Sequence, residues 1–172
     1  MEDRENLKVA FERNVRALTK RPALGRDTGV LTARIRDGLT CEIEAGPFRL
    51  VADMPTTAGG KGAAPTPGVY GRAALGSCLA IGYMMRAAAQ GVPITSVEVE
   101  VRADYDAGAL YGVGDAPPGY TEVRYVVTLE SNAPEEALRR VLDEADAHSP
   151  YLDVFRRAQK CLRDVRIKPV QG

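Results

Sequence analysis

A thiol is among the strongest nucleophiles a side chain offers near neutral pH. This 172-residue chain carries three, Cys41, Cys78 and Cys161, with one imidazole, His148, and no tryptophan. The thiolate is the reacting form, so each cysteine is weighed by what could ionise it. Cys41 falls on the apolar face of an alternating segment and reads as buried and chemically quiet. Cys161 has Lys160 and Arg163 as neighbours. Such cations can lower a thiol pKa, and random placement would give the same neighbours. Cys78 lies in Ala74-Leu75-Gly76-Ser77-Cys78-Leu79-Ala80-Ile81-Gly82. On a helix its i−4 and i+4 neighbours are Ala74 and Gly82, so its flanks are small enough for another backbone to come close. Spacing alone reads Cys78 as a packed core thiol.

Other chemistries lack their residues. A structural zinc site wants four Cys or His ligands in pairs, and none are paired here. A Ser-His-Asp hydrolase would have to use His148, and no Gly-x-Ser-x-Gly is present. Gly59-Gly60-Lys61-Gly62 has the composition of a phosphate loop without the Gly-x-x-x-x-Gly-Lys-Ser/Thr spacing, and reads as a flexible surface loop. An odd cysteine count without close spacing is not a disulfide framework and fits a reducing compartment. Apolar residues at 45% and charged residues at 27% describe an ordinary globular chain rather than a disordered one. Lys plus Arg and Asp plus Glu both number 23, which argues against nucleic acid as the main partner and against a membrane surface. The charged start, Met1 to Asn6, is unlike a signal peptide. The most apolar stretch, residues 73–85, is shorter than the roughly 20 residues of a membrane span. A soluble, cytoplasmic protein is expected.

The elements that must hold these groups follow from periodicity. Leu7, Phe11, Val15 and Leu18 predict a helix over residues 3–20, ended at Arg21-Pro22. A three-stranded meander is expected over 30–36, 39–45 and 48–53, with Asp37-Gly38 as a two-residue hairpin turn and Gly46-Pro47 as the next turn. A loop over 54–67 precedes a helix over 68–90, stopped by Gly91 and Pro93. Strands are expected over 94–104 and 120–130, joined by a Gly/Pro/Tyr-rich loop of the length that usually serves a function. Asn132 predicts a helix cap ahead of Pro134 and Glu135. Ser149-Pro150 divides that helix from a shorter one over 151–160, and a last strand covers 162–170. This order gives an α+β fold.

Residues 68–91, with Leu75-Gly76-Ser77-Cys78 at the centre, resemble the cysteine helix of the OsmC/Ohr family (osmotically inducible protein C and organic hydroperoxide resistance protein). Pro67, eleven residues before the cysteine, is similar, as are the Gly91-x-Pro93 exit into Ser96-Val97-Glu98-Val99-Glu100-Val101 and the 121–129 strand. So are the Pro134-Glu135-Glu136 helix start and His148-Ser149-Pro150-Tyr151, where the family usually reads Cys-Pro. The resemblance covers about residues 30–168. Residues 1–22 read as a helical extension on a single OsmC-like domain over 23–172, and the 105–119 loop as a second addition.

The resemblance implies an intertwined homodimer with antiparallel sheets around central helices. It implies organic hydroperoxide reduction in oxidative-stress defence, with no bound cofactor and no metal. Cys78 takes the place of the attacking thiol, which becomes a sulfenic acid. Ser149 stands where the second cysteine would be, so an external thiol, or Cys161, would have to resolve that acid. Gly68 stands where the peroxidases carry Glu. Arg26, in Gly25-Arg26-Asp27, is the nearest candidate for the arginine that stabilises the thiolate, and His148 could polarise Cys78 or simply complement a helix end. Arg72 and Arg86, near the ends of the central helix, read as ion-pairing residues. Tyr105, Tyr111 and Tyr120 could wall a pocket. Two functions follow: a one-cysteine peroxidase, or a non-catalytic dimer whose interface cavity binds a small apolar ligand or partner.

Overall fold

The computed structural model describes residues 2–169. Among them, four helices and five strands run in the order α1 (Glu2–Lys20), β1 (Thr32–Ile35), β2 (Cys41–Ala45), β3 (Phe48–Ala52), α2 (Pro67–Gln90), β4 (Ser96–Tyr105), β5 (Tyr120–Glu130), α3 (Glu135–Ala147) and α4 (Pro150–Arg156). Short 3₁₀ turns lie at Pro22–Gly25, Thr56–Ala58 and Ala107–Tyr111. The strands form two antiparallel sheets, β1-β2-β3 and β4-β5. This is the α+β class that the element order implies. No helix among the described residues is long and apolar enough to cross a membrane.

α2 is the axis of the fold. Pro67 opens it at a position where a missing N–H costs nothing. Gly91 closes it with φ 68°, a left-handed conformation that side chains resist. Leu75, Leu79, Tyr83 and Ala87 recur every fourth residue and are all buried. The first three pack on Ala145 of α3, Leu152 of α4 and the inward rows Val97-Val99-Val101 of β4 and Val123-Tyr125-Val127 of β5, and Ala87 packs with Ile94 and Val141. Ile94 and Val141 extend this core toward the C-terminal end of α2. Each fully buried Leu contributes about 1.5–3 kcal/mol. Gly76 brings α2 close to β4: a Cβ there would lie 3.3 Å from Val101 Cγ2. α1 lies against α2, with the Arg86 guanidinium 5.0 Å from the Phe11 ring centroid and paired to Glu144 of α3 at 2.9 Å.

The β1-β2-β3 sheet differs sharply. Only Ala52 at its end is buried, and Phe48 is 69% exposed. Cys41 is half-buried rather than buried, because the face it shares with Ile43 and Ala45 has little of this chain over it.

Several expectations are corrected. Ile35 pairs with Cys41, which leaves a five-residue connection, 36–40, instead of a two-residue turn at Asp37-Gly38. Thr40 leaves the ladder there and its hydroxyl approaches Asp53 at 3.5 Å. Asn132 does not cap α3. Pro134 is the cap residue, and Ser131 organises the entry by accepting the Ala133 N–H at 2.9 Å. α4 ends at Arg156, short of 160. Residues 162–169 form no strand, and Ile167 is 91% exposed. Alternation makes a strand only where an edge supplies hydrogen bonds, and among the described residues no strand pairs with them. Residue 170 lies outside the described residues.

The glycine-rich loop is organised around a buried carboxylate. Asp53 accepts N–H bonds from Met54 (2.8 Å), Ala63 (3.1 Å) and Lys61 (3.2 Å). The backbone that could have cradled a phosphate is thus occupied by an internal anion. The Ala63 N–H above all, then those of Met54 and Lys61, holds the Asp53 carboxyl below its usual pKa against the opposing effect of burial. A depressed carboxylate adds stability above its unfolded pKa and loses it as pH falls through the folded one. Asp53→Asn should therefore lower the unfolding temperature at pH 7 and flatten its pH dependence below about pH 4. Thermal unfolding followed by circular dichroism across that range checks this; an acid limb as steep as the parent's would count against it.

Candidate functional site

Two elements bring the candidate residues together. α2 carries Cys78 on the flank of its buried stripe, half-buried. The corner between α3 and α4 carries Ser149, 7% exposed. Cys78 Sγ and Ser149 Oγ lie 3.6 Å apart, though 71 residues separate them in sequence. Among the described residues, Ser149 is the only hydrogen-bond partner of the Cys78 sulfur.

The corner forms because Ser149 caps α4 and Pro150 opens it. Ser149 Oγ accepts the Leu152 N–H at 3.3 Å. That bond uses a lone pair and leaves the single hydroxyl proton free. The proton can be given to the sulfur when Cys78 is a thiolate, and the hydroxyl oxygen can accept when it is a thiol. A hydroxyl that donates to a thiolate favours the ionised form. The pair is thus compatible with both states of the sulfur.

The other candidates sit elsewhere. Arg26 is exposed, just past the Pro22–Gly25 turn, with no hydrogen bond to Cys78. His148 is the residue after α3, and its Nδ1 donates to the Glu144 carbonyl of its own helix at 2.7 Å. It serves its helix end and makes no bond to Cys78. Cys161 is exposed in coil, and all three cysteines are free thiols. At the position of the family's Glu, the Gly68 carbonyl accepts from the Tyr120 hydroxyl at 3.0 Å, and Arg72 reaches the same hydroxyl at 3.5 Å. Arg86 is ion-paired, as its place near the helix end suggests.

A cavity of about 320 Å³ opens beside the pair, lined by Leu75, Tyr120, Tyr125, Leu152, Phe155 and Arg156 among others. Leu75 is one turn before Cys78 and Leu152 one turn after Ser149, but neither Cys78 nor Ser149 lines it. Tyr120 is walled in by Phe155, stacked at 6.1 Å, and Tyr105, edge-on at 6.4 Å. Tyr111 is exposed and takes no part. A larger cleft of about 620 Å³ lies between α1 and the end of α2, around Lys8, Ala87 and Pro93. Nine residues of helix, about 14 Å of rise, separate Ala87 from Cys78, so that cleft is remote from the thiol. No cluster of three or more His, Cys, Asp or Glu suited to a metal occurs among the described residues.

The sequence reading missed a half-buried polar triad that joins α2, α3 and β5. Tyr83 of α2 and Tyr125 of β5 donate to the two carboxylate oxygens of Asp146 in α3, each at 2.7 Å. Burial, then the hydrogen bond to Asp146, pushes the Tyr125 hydroxyl up to about 12 and the Tyr83 hydroxyl well above its usual value. Two signals could have exposed the triad. A tyrosine on a buried leucine stripe needs a partner for its hydroxyl. An aspartate in the last turn of a helix opposes the helix dipole and calls for compensation.

Comparison with known proteins agrees with this architecture. The family model described as "OsmC-like protein" matches residues 59–161. The fold is similar to that of an OsmC-like protein from Mycoplasma pneumoniae, with TM-score 0.65 and 14% identity over 76% of this chain and 88% of that one. It is similar to an OsmC-like protein of unknown function from Vibrio cholerae, with TM-score 0.60 and 13% identity over 74% and 93%. An organic hydroperoxide resistance protein from Legionella pneumophila gives TM-score 0.55 and 17% identity over 76% and 90%. A sequence comparison with curated proteins finds no significant match.

Proposed function

The chain belongs to the family of OsmC-like proteins, and from that premise we propose that it reduces organic hydroperoxides through one cysteine, Cys78, recycled by an external thiol. The observation that carries this reading is the 3.6 Å approach of the Ser149 hydroxyl to the Cys78 sulfur. The name of the Legionella neighbour, an organic hydroperoxide resistance protein, supports the substrate class.

The thiolate sulfur attacks the terminal oxygen of R–O–OH. An S–O bond forms and the O–O bond breaks. The peroxide leaves as the alkoxide R–O⁻, which takes up a proton to become the alcohol R–OH, and Cys78 is oxidised to a sulfenic acid. Serine cannot close a disulfide, so an external thiol condenses with the sulfenic acid and releases water. A second external thiol then attacks the mixed disulfide and returns Cys78 to its reduced state. Ser149 steadies the thiolate before attack. The part of the cavity bordered by Leu75, Leu152 and Phe155 is the place for the organic group of the substrate.

The reading includes a homodimer. A single copy leaves the β1-β2-β3 sheet almost wholly exposed and Ile81 of α2 60% exposed, apolar surface that a second copy would cover. The second function, a dimer that binds an apolar ligand without chemistry, is favoured by the same cavity and by the absence of the second cysteine and the Glu.

Trapping separates the two. The protein is treated with cumene hydroperoxide and then with dimedone, which labels sulfenic acids, and the labelled peptide is identified by mass. One label per chain at Cys78, absent from Cys78→Ser and far faster than at Cys41 or Cys161, is expected. Labelling at Cys78 no faster than that of free cysteine would sink the peroxidase and leave the binding protein.

A further inference from the structure

We infer that Asp146, anchored by Tyr83 and Tyr125, is the positioning residue that holds Ser149 Oγ against Cys78 Sγ. The inference builds on the reading of Cys78 as the reacting thiol, and its geometry is independent of the reaction. Two phenols from different elements grip separate oxygens of one carboxylate, Tyr83 on Oδ1 and Tyr125 on Oδ2, both at 2.7 Å. Tyr83 is 1% exposed, so its hydroxyl cannot turn to water instead. Both phenols stay protonated throughout the physiological range, which makes them permanent donors. The side chain of Asp146 is thereby fixed to α2, the helix that carries Cys78, and to β5.

The backbone of Asp146 passes this anchoring on. Its carbonyl accepts the Ser149 N–H at 3.2 Å, three residues along at the helix end. Ser149 Oγ is held from the other side by the Leu152 N–H. A 3.6 Å contact to sulfur is at the edge of hydrogen-bonding range, so a small shift of this corner breaks it. An aspartate in the last turn of α3 faces the negative end of the helix dipole. The two phenol bonds offset that cost.

The test reads thiol alkylation, which needs no peroxide turnover and so can fail or succeed apart from the peroxidase reading. In a Cys41→Ser/Cys161→Ser chain, Cys78 is the only thiol, and its reaction with iodoacetamide is followed from pH 5 to 10. Ser149→Ala should slow alkylation at pH 7 by about three- to tenfold, the range of one lost hydrogen bond, and move the half-maximal point to higher pH. Asp146→Asn should give most of the same slowing, and the double variant should be no slower than Ser149→Ala alone. If Asp146→Asn fails to fold, Tyr125→Phe, which removes one anchor and keeps the carboxylate, should give a partial slowing that vanishes in the Ser149→Ala chain. Independent, additive slowing would overturn the inference. So would an unchanged rate, or a faster one, which would mean that the Asp146 charge merely opposes the thiolate.

Discussion

Ser149→Cys should convert the Cys78 site from one that accumulates a sulfenic acid into one that closes a disulfide. The parent side chains already face each other at 3.6 Å, and forming a bond of about 2.05 Å requires the two sulfurs to move together by roughly 1.5 Å. Ser149 is the cap residue just before α4, where the chain turns, so this movement does not have to bend a helix interior. The substitution weakens the cap, because a thiol is a poor acceptor for the Leu152 N–H, at a cost of about 0.5–2 kcal/mol. That cost is small beside the change in chemistry. After one equivalent of cumene hydroperoxide, the variant should lose two hydrogens in mass and give about tenfold less dimedone adduct than the parent. A small dithiol should then support turnover in the variant, since it can reduce the disulfide directly. A persistent sulfenic acid with no disulfide would mean that the two positions do not reach each other in solution, and would remove Ser149 from the site.

That prediction rests on a juxtaposition that no local pattern contains. Helix periodicity places Cys78 on α2, and Ser-Pro marks the corner at Ser149, but nothing in either segment says that they touch. Family resemblance supplied the pairing, through the position of the second cysteine, and the 3.6 Å distance agrees with it. Arg26 shows the opposite case. The chain around it has no strong periodicity to fix a register, and Arg26 makes no bond to the thiol. The strands over 41–45 and 120–130 are legible because successive residues go to opposite faces, one more apolar and the other polar. The same alternation misleads at 162–169, where Val165 and Ile167 pair with no strand among the described residues. Asp146 and Asp53 stayed hidden for a related reason. A carboxylate withdrawn from solvent, wholly for Asp53 and partly for Asp146, is made acceptable by donors from other segments: Tyr83 and Tyr125 for Asp146, and the backbone of a glycine-rich loop for Asp53.

Gly60→Ala should be among the most destabilising single-methyl additions in this chain. Composition alone reads Gly59-Gly60-Lys61-Gly62 as a loose loop, but the position of Gly60 leaves no room for a side chain. A Cβ there would lie 1.9 Å from the Met54 carbonyl oxygen, 2.5 Å from the Met54 carbonyl carbon and 2.9 Å from Asp53 Oδ1. Two of those three atoms are backbone, so no rotamer change relieves the clash. The Gly62 N–H bonds that same Met54 carbonyl at 3.0 Å, so displacing the carbonyl also unpicks the turn that delivers the Lys61 and Ala63 N–H groups to Asp53. The expected loss is about 3 kcal/mol or more, at the upper end for overpacking. For a chain of this size that is a fall of roughly 6–12 °C in Tm. Gly29→Ala is the control: nothing lies within 4 Å of its added Cβ, and the change should stay within about 0.5 kcal/mol. In an Asp53→Asn chain the loop has already lost its charged centre, so Gly60→Ala should cost clearly less than in the parent. Equal costs in the two chains would show that the loop is held by something other than the carboxylate it surrounds.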